Sequence, residues 1–165
     1  MEIFGIILLV PLGGVTIAAL FAALILLVPT PVEKTRDHLE KMSGRSLLLG
    51  VINFIFFGLI SALFLWLAEQ SGGLLSGVLV FLAAVILIGV LIFILFGLSA
   101  FANLLGERMG GGKTPFTSNL RGAALLLLAA LAPYIGWFIF TPLILWAGLG
   151  AAISALVRKE KEIPT

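Results

Sequence analysis

The sequence contains no cysteine and a single histidine, His38. Without cysteine there is no disulfide framework, no thiolate metal site and no redox motif. One histidine, set in a charged loop, leaves no second donor for a metal or haem and no placed partner for a Ser/His/Asp arrangement. Charge is also scarce. Lys, Arg, Asp and Glu make up 11% of the chain, against about 25% in soluble domains. The net charge of +2 is mild and its basic residues are interspersed with acids, which argues against nucleic acid as a partner. No ionisable residue falls inside an apolar stretch; Glu69 and Glu107 stand at the ends. That placement disfavours a proton-coupled pump built from one chain. With no paired carboxylates near an inferable cavity either, the expectation is a protein that is not an enzyme and has no cofactor.

What fills the space is apolar. Hydrophobic residues make up 61% of the 165 positions, with a mean hydropathy of +1.25. A small soluble domain has too much surface for its volume to hide that much apolar area; in lipid the difficulty disappears. The expected fold is all-α, a polytopic transmembrane helical bundle forming one membrane domain over 1–165. It would have four to five membrane segments, at about 3–28, 46–68, 74–105, 122–137 and 138–157. The first is read as a retained helix rather than a cleavable signal, because it lacks a positive n-region and is too long. Pro11 is its expected kink.

The apolar run from Gly122 to Val157 is too long for one span, at roughly 54 Å as a single helix. Ala132-Pro133-Tyr134-Ile135-Gly136-Trp137 breaks it, and Thr141-Pro142 breaks it again. This predicts a short C-terminal helical hairpin, either two spans or a re-entrant loop; irregular backbone at such depth needs protein cover. Basic residues favour the cytoplasmic side. Lys34, Arg36, Lys41 and Arg45 lie in the first loop, Arg108, Lys113 and Arg121 in the third, and Arg158, Lys159 and Lys161 in the tail. The loop from Glu69 to Gly73 has none. The hairpin puts all ten on one face, with the N-terminus outside and loops 29–45 and 106–121 and the tail cytoplasmic. Trp66, Tyr134 and Trp137 then fall near the outer ends as an interface belt.

Between the first two segments, Thr30-Pro31-Val32-Glu33 has the capping-box form with proline at the first helical position. It predicts a connector helix over about 31–42, stopped at Ser43-Gly44. Arg36–Glu40 and Asp37–Lys41 are spaced for weak ion pairs. Gly73-Leu74-Leu75-Ser76-Gly77, and Gly148 with Ala152, are small-residue pairs suited to helix packing. Asn53 is expected to hydrogen-bond a neighbouring helix; Asn103 is the other notable uncharged polar group. Gly110-Gly111-Gly112-Lys113-Thr114 is not a phosphate loop: Glu107 stands where the first glycine is needed, no strand precedes it, and Pro115 disfavours the following helix. Arg45-Ser46-Leu47-Leu48-Leu49-Gly50 and Arg121-Gly122-Ala123-Ala124-Leu125-Leu126 open two hairpins from the same side, a faint internal repeat.

Leu27-Val28-Pro29…Glu33…Arg36…Arg45-Ser46-Leu47-Leu48-Leu49-Gly50 and Leu105-Gly106-Glu107-Arg108 belong to a wider pattern. It continues through Ala132-Pro133-Tyr134-Ile135-Gly136-Trp137 to Gly148-Leu149-Gly150-Ala151. Over roughly residues 20–157 this resembles the multi-helix membrane domain of bacterial proteins that also carry bactofilin, the polymer-forming cytoskeletal β-helix. The bactofilin repeat itself is missing from this chain. The resemblance implies a non-enzymatic membrane scaffold or anchor in a bacterial cytoplasmic membrane, with no catalytic residues to carry over. Two alternatives stand beside it: an accessory subunit of a larger, energy-transducing membrane complex, and a small oligomeric transporter or channel. The expected partners are the bilayer and another membrane protein or a second copy.

Overall fold

The computed structural model describes residues 2–110, 114–132 and 134–157. Among them every regular element is helical: α1 (Glu2–Leu27), α2 (Pro29–Gln70), α3 (Gly73–Arg108), α4 (Pro115–Leu131), a π-helical turn (Gly136–Phe140) and α5 (Thr141–Val157). The expected all-α bundle is what forms. Three helical stretches, Gly44–Gln70, Gly73–Arg108 and Gly136–Leu156, are long and apolar enough to cross a membrane. A bent pair, Leu12–Leu27 with Pro29–Lys41, makes a fourth if taken as one span. These are consistent with a multi-pass membrane protein. Lys113, Pro133, Arg158, Lys159 and Lys161 lie outside the described residues.

Prolines and glycines set most of the breaks. α1 runs as helix through Pro11, and the sharp turn comes instead at Val28, where the chain changes direction by 106°. Pro29 removes an amide donor and pushes the residue before it out of the α region; Val28 sits at φ −137°. The same ring then starts α2 well, since a first-turn amide has no partner to lose. Ser43-Gly44 does not stop that helix. The expected connector and second segment are one element of 42 residues. An interior glycine costs about 1 kcal/mol, and here a buried stripe runs across it: Val32, Thr35 and Leu39 on one side, Ser46 and Gly50 on the other. Thr35 turns its hydroxyl back to the Pro31 carbonyl (2.7 Å) and so enters the core satisfied.

Gly73 closes the α2–α3 turn at φ +64°, a conformation that favours a residue without Cβ. Pro115 likewise does not block a helix. It begins α4, with Thr114 as the N-cap in a reciprocal box with Thr117 (3.3 and 3.4 Å). Nor does Thr141-Pro142 break the chain. The helix ahead of Pro142 widens to a π turn, and both the amide and the hydroxyl of Thr141 reach Gly136 O, the hydroxyl at 2.8 Å. A looser turn relieves the clash a proline ring makes with the preceding turn.

Packing is by small residues, and it is reciprocal. A Cβ on Gly50 of α2 would collide with the Trp146 carbonyl of α5, and one on Gly150 would collide with the Ser46 carbonyl. The α3–α4 crossing repeats this: Gly106 faces the Ser118 carbonyl and Gly122 the Ala102 carbonyl. In each crossing two glycines sit on the hydrogen-bonded turn of the other helix, close enough for Cα–H···O contacts. Both pairs are antiparallel, since rising numbers on one helix meet falling numbers on the other. Gly97 and Gly148 bring α3 against α5 in the same way, a Cβ on Gly148 standing 3.0 Å from Gly97 Cα. Around these crossings lie two apolar clusters. Val32 and Leu39 meet Ala100, Leu104, Ala147 and Ala151; Ala18 and Phe21 meet Ala102, Ala123 and Leu126.

These contacts fix how far each helix reaches. From the α3–α4 pairs, Leu131 comes level with about Phe93 of α3, and from the α2–α5 pairs Trp137 comes level with about Leu59 of α2. The α2–α3 hairpin continues to its turn at Ser71-Gly72, roughly 18 Å beyond Leu59 on α2 and roughly 30 Å beyond Phe93 on α3 at 1.5 Å per residue. The molecule therefore has two ends. At one, five helices meet around the core and the charged side chains of residues 33–45, 107, 108 and 121 gather. At the other, the α2–α3 hairpin projects with most of its large side chains exposed, Leu74 at 89%.

Candidate functional site

The sequence-derived positions fall in different places. Gly148 packs on Gly97, and Ala152 is fully buried. Gly73 and Gly77 have no neighbour within 4 Å of a Cβ position, so within this chain Gly73 serves the turn. Asn53 donates to Leu49 O of its own helix (2.8 Å) rather than to a neighbouring one; a free carbonyl lone pair one turn back is simply nearer. Trp66, Tyr134 and Trp137 are all exposed, but not at one level. Trp66 lies about 10 Å farther along α2 than Trp137, because the α4–α5 hairpin is the shorter one. Tyr134 takes a left-handed backbone, φ 65°, which costs a side-chain-bearing residue roughly 1–2 kcal/mol. His38 is partly buried on α2, and among the described residues no group of three or more His, Cys, Asp or Glu is placed to hold a metal.

The polar constellation that does form was not singled out in the sequence. Arg36 of α2 reaches Glu107 of α3 at 2.8 Å, rather than Glu40 one turn along its own helix. Both side chains are about a third exposed, so the pair contributes at most about 1 kcal/mol; its effect is to fix α2 against α3. Beside it lies a cleft of about 70 Å³, walled by Ile25, Pro29 and Val32 and lined by Glu33, Arg36, Asn103 and Glu107. That is room for a few waters or one small polar group. The 106° turn at Val28 creates it by folding the start of α2 across the end of α1. Asn103 is 7% exposed and its Oδ1 has no hydrogen-bond partner; Arg36 Nε is likewise buried and unpartnered. On α4, Asn119 is fully buried with both amide atoms unpartnered. Native proteins satisfy most such groups; the hydroxyls of Ser61 and Ser118 are buried without a partner as well. The available signal was the spacing of Glu33 and Arg36 on one face, opposite an acid at a span's end.

Comparison with protein-family models, with curated proteins and with solved structures finds no match.

Proposed function

We propose that this chain is a non-enzymatic scaffold or anchor of a bacterial cytoplasmic membrane, with the N-terminus outside and the charged end in the cytoplasm. The observation that carries the reading is the division of the molecule into a bare apolar hairpin and a packed, charged-surfaced base. The hairpin suits lipid. The base, with Glu33, Asp37, Glu40, Lys41, Arg45 and Arg121 exposed, suits water and presents a rigid surface. The resemblance to the membrane domain that accompanies bactofilin supports the same role.

Arg45 marks the depth of the base, since a charge at mid-membrane costs about 2.5–3.5 kcal/mol or more. The α4–α5 tip then reaches only some 20 Å past it, short of the roughly 30 Å hydrocarbon thickness. We read α4–α5 as a re-entrant hairpin, because its register against α2, and not the length of Gly136–Leu156, limits how far it reaches; with α1, α2 and α3 as the three crossings, the basic residues stay on the cytoplasmic side. A second reading, a subunit held in a larger complex or a homo-oligomer, is favoured by Gly58, Gly77 and Gly89. Each is open on the projecting hairpin, where a partner helix can approach closely. Purification from native membranes separates the two, since a stoichiometric membrane partner belongs to the subunit reading. Solute flux through liposomes holding the pure protein would count against both.

A further inference from the structure

We draw no further inference here: the strongest candidate, the exposed aromatic tip of the α4–α5 hairpin formed by Tyr134, Trp137 and Phe138, is an unpartnered apolar face, and nothing in the structure shows what covers it.

Discussion

Gly50, Gly122 and Gly150 each stand where a methyl group would strike a carbonyl oxygen of the facing helix. Backbone cannot rotate away as a side chain can, so alanine at any of these sites must push two helices apart. Overpacking of this kind costs roughly 1–3 kcal/mol. Gly50→Ala, Gly122→Ala and Gly150→Ala should therefore each lower the thermal midpoint of the purified protein in detergent. Gly58→Ala and Gly89→Ala, with open space around them, should leave it unchanged or raise it slightly through helix propensity. If both groups of variants melt alike, the reciprocal crossings do not hold the bundle. Sequence reading found Gly148 and Ala152 because they form a small-xxx-small pair. It passed over Gly50, Gly97, Gly106 and Gly122, whose partners lie on other helices. A glycine's neighbour across a crossing is not written in its own spacing. The cleft was hidden for the same reason: Glu33 and Arg36 are separated from Glu107 by two long helices.

At the scale of elements, proline positions were easy to find and hard to interpret. Pro29 turns the chain, Pro115 starts a helix, and Pro142 is absorbed by a π turn. The outcome depends on whether the missing amide had a partner to lose. At the π turn, Thr141 holds Gly136 O through its hydroxyl as well as its amide. Thr141→Val keeps the shape and removes the hydroxyl, so a loss of about 1 kcal/mol is expected in detergent unfolding. No change would mean that the π turn is set by Pro142 alone. Just before it, Tyr134 has a positive φ. Tyr134→Gly should be neutral or mildly stabilising, whereas Tyr134→Val should destabilise by about 1–2 kcal/mol, because a β-branched side chain is least tolerant of that backbone. The continuity of α2 through Ser43-Gly44 has a similar cause: local signals for a stop were present, and the buried stripe from Val32 to Gly50 outweighed them.

For the whole molecule, composition alone indicated helices in lipid, and the charge distribution indicated one basic side. The depth of each helix was not legible, because hydropathy counts residues without registering them against neighbours. Register comes from the glycine crossings, and it makes the α4–α5 hairpin shorter than the α2–α3 hairpin beside it. The absence of cysteine makes this directly measurable, since any introduced cysteine is the sole thiol. Ser71→Cys, Phe138→Cys and Thr117→Cys should be probed in intact and in permeabilised cells with a membrane-impermeant maleimide. The re-entrant arrangement predicts labelling of Ser71→Cys from outside, of Thr117→Cys only after permeabilisation, and of Phe138→Cys in neither case. Labelling of Phe138→Cys in intact cells, at the rate of Ser71→Cys, would show that α4 and α5 cross completely and would contradict it.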